Sequence, residues 1–272
     1  MYPEVYFAKI KQEIKRALGV FYYPSFKINK IFDNKPKFII LVYHSIHPRH
    51  PWSISPNKFE EQIKFISSNY PILSLGDFFN FKENSISITF DDGYEDNFYY
   101  ALPILKKYNL NATFFICSGF ITKEIDIAKD GPYKGLRPLT IEMIKEMKKE
   151  GMNFGSHTHA HPILSKVSLS QAKEDIHKSK IILESILEEK INLFAYPFGQ
   201  LNTFNDNIIS VLKEEGFQLS CSTIWGNNNK HTNPFILRRI RIDPMDTLRD
   251  FKDKIEGKWD FIKWFHYLKW IT

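Results

Sequence analysis

Cysteine is scarce in this sequence: two in 272 residues, Cys117 and Cys221, far apart and each inside an apolar or small-residue run. No disulfide framework is readable from such a pair, and both thiols are expected in the core. Long hydrophobic runs are missing as well, since the longest purely apolar stretch, FIILVY at 38–43, is far too short to cross a bilayer. The opening MYPEVYFAKIKQEIKRALGV is broken by charge every few positions and holds no signal-peptide core, so a cytoplasmic location is the default expectation. A glycine-rich phosphate cradle is absent, which argues against phosphoesterase chemistry. There is no basic stripe in the body and no reading motif, which argues against nucleic acid as a partner.

The net charge of +6 is concentrated at the ends. Residues 1–30 carry six Lys/Arg against two acids and residues 236–272 carry nine against six, while the segment between is nearly balanced. Basic ends fit peripheral contact with an anionic membrane better than a polynucleotide. Tyr6, Ile10, Ile14 and Leu18 recur every four residues among Lys9, Lys11, Lys15 and Arg16. That pattern predicts a basic amphipathic helix, lying on a membrane surface or packed on the body of the protein. The tail GKWDFIKWFHYLKW sets three of the five tryptophans among lysines, again consistent with an interface or with packing against the N-terminal helix.

Between these ends strands alternate with helices. FIILVYH, ISITFDD, ATFFIC, NFGSH, LFAYP, FQLSCST and FILRRIRI read as strands. The first intervening helix, SPNKFEEQIKFISSNY, has Ser55 as cap and Pro56 in its first turn. EDNFYYALPILKKYNL is helical with a kink or early-turn feature at Pro103, TIEMIKEMKKEG closes on Gly151, and a long helix over 170–189 opens on the capping box Ser168/Gln171. The expected fold is α/β, with about seven parallel strands, open or closed into a barrel. The expected division is an N-terminal extension over 1–30, a barrel over 31–245 and an aromatic, basic extension over 246–272.

Ligand chemistry in such folds gathers at the carboxyl ends of the strands. Four predicted exits carry polar or aromatic residues: Tyr43-His44, Asp91-Asp92, Ser156-His157 and Tyr196-Pro197. Two adjacent carboxylates at the end of a buried strand are costly to desolvate and ask for a reason. In GSHTHAHP, at 155–162, three of the chain's nine histidines fall within five residues. One carboxylate with His157 and His161 makes a two-histidine, one-acid set that holds a divalent metal and leaves positions open for water and substrate. Pro162 disfavours a helix there, so a turn is expected, with His159 directed to solvent or to the substrate rim. The second carboxylate is then free to take a proton from water. Zinc suits this set best, and cobalt, nickel or iron are accepted by the same ligands.

These motifs resemble the polysaccharide deacetylases with the NodB-homology domain, carbohydrate esterase family four. The resemblance rests on TFDDGY at 89–94, HTHAH at 157–161 and FAYPFG at 194–199, and more loosely on VYHSI, SPNKFEEQIKFI, NATFFI and LRRIRI. It implies a distorted (β/α) barrel that removes N- or O-acetyl groups from an acetylated glycan, polymeric, oligomeric or lipid-linked. It further implies Asp91 as the general base, and Asp92, His157 and His161 as the metal ligands. A backbone N–H near Tyr196 would stabilise the oxyanion. Family members often carry a late-strand histidine as the acid, and FILRRIRI has none. His44 is the substitute candidate for the acid, and Arg238 or Arg239 the candidate to order Asp91. Tyr196, Pro197, Phe198 and Trp225 are expected to line the substrate groove. The missing histidine also motivates an alternative, a non-catalytic sugar-binding barrel.

Overall fold

The computed structural model describes residues 10–19, 22 and 35–263. Seven strands run parallel: β1 (Phe38–Tyr43), β2 (Ser85–Phe90), β3 (Thr113–Ile116), β4 (Asn153–Ser156), β5 (Leu193–Ala195), β6 (Leu219–Cys221) and β7 (Ile240–Arg241), in the order β6-β5-β4-β3-β2-β1-β7. β1 and β2 are buried along their whole length, as expected of strands covered on both faces. The last predicted strand, FILRRIRI, shrinks to the two residues of β7. The residues just before it pair elsewhere: Leu237 bridges Cys221 of β6, while Ile240 and Arg241 pair with Leu41 and Val42 of β1. One short segment therefore joins both edges of the sheet and closes a distorted β/α barrel.

The helices follow the local signals. Residues 10–19 form α1. α2 (Pro56–Asn69) starts where the Ser55 side chain accepts from the Lys58 N–H, and it buries Phe59, Ile63 and Ile66. A π-helical turn over Asn97–Ala101 precedes α3 (Leu102–Lys107), with Pro103 in the first turn of α3, where its missing N–H costs nothing. α4 (Ser118–Ile121) is a single turn, and α5 (Ile141–Lys149) is capped by Thr140. α6 (Leu169–Leu187) opens on the Ser168/Gln171 capping box, α7 (Asp206–Glu214) on Asn205 and α8 (Leu248–Ile255) on Thr247. Both cysteines are buried and unpaired.

Among the described residues, no helix is long and apolar enough to cross a membrane. α1 lies on the body of the protein, but not through the isoleucine stripe: Ile10 and Ile14 are exposed. Gln12 donates to Asp246, Arg16 pairs with Asp250, and Leu18 packs on the core. Long-range polar contacts to α8 and the segment before it thus choose the docked face over hydrophobic periodicity. Tyr6 and Lys9 lie outside the described residues, as do Trp264 and Trp270 of the tail. Trp259 is buried in the core beside Phe261.

Candidate active site

The end of β2 shows how neighbouring carboxylates acquire different tasks. The Asp91 N–H still continues the ladder, donating to the Tyr43 carbonyl, but Asp92 turns away at φ 75° and the Gly93 N–H closes back on the Asp91 carbonyl. Strand alternation alone would put the two side chains on opposite faces. The left-handed turn instead keeps both carboxylates in one cavity, at a backbone cost of about 1–2 kcal/mol for a non-glycine residue.

Asp91 faces Arg239. The guanidinium donates two parallel hydrogen bonds of 2.7 Å to the two carboxylate oxygens, and its Nε donates to the Ser222 carbonyl at 2.8 Å. Both residues are buried. Burial opposes the charge on Asp91, yet Arg239 and the field of His157 hold its pKa below the usual carboxylate value. Arg238 points the other way, against Gly226 and a small separate cavity beside Lys35 and Asp260. Consecutive residues on an extended segment face opposite sides, so it does not reach Asp91.

Asp92 faces the histidines. Its Oδ1 lies 3.4 Å from Nε2 of His157 and 3.4 Å from Nε2 of His161. A tetrahedral site with bonds of about 2.0–2.1 Å has ligand-to-ligand edges of about 3.3–3.4 Å. Both carboxylate-to-imidazole edges therefore match donors around one small divalent ion, and all three donor atoms lie within 4.8 Å of one another. The donor set also fits chemically: the His157 Nδ1–H donates to the Ala195 carbonyl at 2.8 Å, which leaves the lone pair on Nε2. Burial disfavours the Asp92 charge, but the adjacent imidazoles of His157 and His161 hold its carboxyl well below the ordinary range.

The HTHAH segment is a turn rather than a helix. Thr158 and His161 have φ of 66° and 53°, and the bend is held by Asp175 of α6, which accepts from the backbone N–H groups of His159 and Ala160 at 2.7 and 2.9 Å. Nothing in the sequence distinguishes Asp175 from the other acids of that helix. His159 is directed neither to solvent nor to the rim. It is buried, with Nδ1 2.9 Å from the Ser118 hydroxyl and Nε2 3.3 Å from Glu124. Its place beneath α4 makes it a prop for the turn.

A cavity of about 970 Å³ opens over these groups. His44 lines it, at the exit of β1, its ring stacked on Tyr133 at 5.4 Å and 13°. Tyr133 in turn stacks on His50 at 6.4 Å and 20°. Loop 122–138 thus contributes to the lining through a tyrosine that stacks on both imidazoles. Burial lowers the His44 pKa, Asp92 and Asp91 raise it, Arg241 and Arg239 lower it, and the net shift is downward. Asp243 lines the same cavity and feels the charge of His44.

The groove expectations divide. Phe198 is exposed to the cavity, at φ 62°, with its ring 5.0 Å from that of His161. Trp225 also lines the cavity and donates from Nε1 to Asp260 at 3.1 Å. Tyr196 and Pro197 do not line it. Tyr196 is fully buried, stacked on Phe204 at 3.9 Å, with its hydroxyl donating to the Phe235 carbonyl. Its N–H is spent on the Cys221 carbonyl, so it is not an oxyanion donor. Two residues on, the Phe198 N–H makes no hydrogen bond among the described residues.

Comparison with known proteins agrees with this geometry. The polysaccharide deacetylase family model matches residues 80–220. The poly-beta-1,6-N-acetyl-D-glucosamine N-deacetylase of Staphylococcus aureus (strain MRSA252) is 31% identical over 249 residues, covering 84% of this chain and 81% of that protein. The Streptococcus pyogenes deacetylase PplD, solved in complex with acetate, superposes with a TM-score of 0.71 at 27% identity, covering 82% of this chain and 99% of that one. The polysaccharide deacetylase BC0361 of Bacillus cereus gives 0.68 at 28% identity, covering 81% and 69%.

Proposed function

Since this chain belongs to the polysaccharide deacetylase family, and so is a carbohydrate deacetylase that hydrolyses amide bonds, we propose that it removes N-acetyl groups from a glycan built of N-acetylglucosamine. The observation that carries the reading is the Asp92 carboxylate equidistant from His157 and His161, with a second carboxylate, Asp91, clamped beside it. The sugar assignment leans on the Staphylococcus aureus relative, which is named for such a polymer.

Asp92, His157 and His161 would hold one divalent metal, zinc by the character of its ligands. When bound there it would supply a Lewis acid for the acetyl carbonyl and ease deprotonation of water. The chain's own groups account for the remaining steps. Asp91 is ionised and accepts the proton of the attacking water, while Arg239 fixes the direction of its lone pairs. The backbone N–H near Tyr196 that serves as donor to the carbonyl oxygen as it gains charge is that of Phe198, which makes no other hydrogen bond among the described residues. His44 gives a proton to the departing nitrogen, so that one amide and one water yield acetate and an amine. A pKa below the usual imidazole value makes protonated His44 a readier donor, although less of it is protonated at neutral pH.

His44, in the cavity at the exit of β1, supports the enzymatic reading over a non-catalytic barrel, because it offers an imidazole in place of the late-strand histidine the chain lacks. Acetate release from N-acetylglucosamine oligomers, measured with zinc or cobalt added, tests the reading. Asp91→Asn should lose about 10²–10⁴-fold in kcat while still binding metal. Absence of acetate from every acetylated glucosamine oligomer offered to the metal-loaded protein would overturn it.

A further inference from the structure

The hydrolytic groups line a cavity far larger than an acetamido group needs, and cationic side chains line it with them. Arg239, just before β7, and Arg241, within it, are two positions apart and so share one face, but they fare differently. Arg239 is spent on Asp91, whereas the Arg241 side chain opens onto the cavity, is exposed there, and makes no hydrogen bond or ion pair among the described residues. Lys15 reaches the same cavity from α1 and likewise has no such partner. Burial, with Lys254 and Arg241 nearby, pulls the Lys15 pKa down despite the opposing fields of Asp243 and Asp246. These two cations therefore sit together in the cavity with no ion-pair partner among the described residues.

Their neighbours are already satisfied. Lys254 donates to Asp246 and to the Arg241 carbonyl, and Arg16 pairs with Asp250. Burial opposes the Arg241 charge and the field of Asp243 favours it, with a net upward shift, and Asp243 acts on Lys15 in the same sense, but among the described residues it makes an ion pair with neither. Deacetylation as derived above uses neither Arg241 nor Lys15. A guanidinium fork beside an ammonium suits a group that presents several charged oxygens. Leu18, Trp259, Phe261 and Ile262 add an apolar surface to the lining.

We propose that Arg241 and Lys15 form a subsite for a phosphate group carried by the acetylated saccharide, a glycosyl phosphate or diphosphate. The inference rests on the deacetylase reading for its chemistry, and it adds the substrate class. Arg241 and Lys15 are here specificity residues that hold the sugar in the cavity through its phosphate.

The test compares acetate release from three forms of one N-acetylated saccharide: neutral, 1-phosphorylated, and linked through phosphate to a lipid in detergent. The 1-phosphate is expected to exceed the neutral form by about tenfold or more in kcat/KM, mainly through KM. Arg241→Gln and Lys15→Gln should each collapse that ratio, and Lys230→Gln, an exposed lysine outside the cavity, should leave it intact. A further gain for the lipid-linked form would identify a lipid headgroup as the source, and equal rates would identify a free glycosyl phosphate. An unchanged ratio in Arg241→Gln, or an equal Arg241-dependent gain from a carboxylate-bearing saccharide, would overturn the proposal. Calorimetric binding of the 1-phosphate decides the matter apart from turnover. Should no acetate be released from any form, the deacetylase reading fails, and affinity lost in Arg241→Gln still upholds the phosphate subsite, while unchanged affinity removes it.

Discussion

Arg239 and Asp91 meet end-on inside the barrel, two nitrogens against two oxygens at 2.7 Å each. The pair is sequestered from water, so truncating one partner strands the other. Arg239→Met should cost about 3–5 kcal/mol of stability, measured by urea unfolding near neutral pH. Arg239→Lys should recover little, because an ammonium cannot make the paired contact. Asp91 is held below its unfolded pKa of 3.8, so its stabilising contribution is complete above that value and fades as the pH falls through the folded one. With Arg239 gone burial dominates and the carboxyl rises, which should move the acid limb of the kcat/KM profile to higher pH.

Metal loading should separate the two adjacent aspartates. Elemental analysis of the wild-type protein is expected to find one divalent ion per chain, removable by chelation. Asp92→Asn and His157→Ala should fail to retain it, and Asp91→Asn should keep it, since Asp91 is engaged by Arg239 and is not among the three clustered donors. Added zinc should raise the melting temperature of the wild-type and Asp91→Asn proteins and leave that of His157→Ala unchanged, because a ligand that binds the folded chain stabilises it by mass action.

What could be read from the sequence was whatever is decided locally. Ser55 and Ser168 cap their helices through residues three positions away, and the polar exits of β1, β2 and β4 bring His44, Asp91, Asp92 and His157 into one cavity because a parallel sheet aligns its carboxyl ends. Contacts between distant segments were not legible. Asp175 and Ser118 hold the histidine turn from α6 and α4. Gln12 of α1 turns inward because Asp246 waits for it, leaving Ile10 and Ile14 outside. The exit of β5 misled for a different reason: backbone at positive φ interrupts alternation, so of the three expected residues the cavity receives Phe198 but neither Tyr196 nor Pro197.

Those two aromatic residues should therefore respond in opposite ways. Tyr196→Phe removes a buried hydroxyl that donates to the Phe235 carbonyl and accepts from Ser220. It should cost about 1–3 kcal/mol in denaturant unfolding, with KM unchanged. Phe198→Ala removes a half-exposed ring beside His161. Stability should hardly move, and KM for a glucosamine oligomer should rise several-fold. Equal effects on KM from both variants would show that Tyr196 does reach the substrate.

Asp96 provides a pH dependence of the fold itself. It is buried against the residues that follow His44, where its carboxyl takes hydrogen bonds from the Ser45 hydroxyl and more weakly from the Ile46 N–H. Burial outweighs these and raises its pKa from 3.8 to about 7. The folded chain therefore holds a proton that the unfolded chain releases near 3.8, and stability declines as the pH rises from about 4 to about 7. At 1.36 kcal/mol per unit, the decline from this group is at most about 4 kcal/mol. Asp96→Asn keeps the shape without the charge, so its unfolding free energy should lack that decline and exceed the wild-type value at pH 8. Parallel curves for the two proteins between pH 4 and 8 would mean that Asp96 ionises in the folded chain as readily as in water.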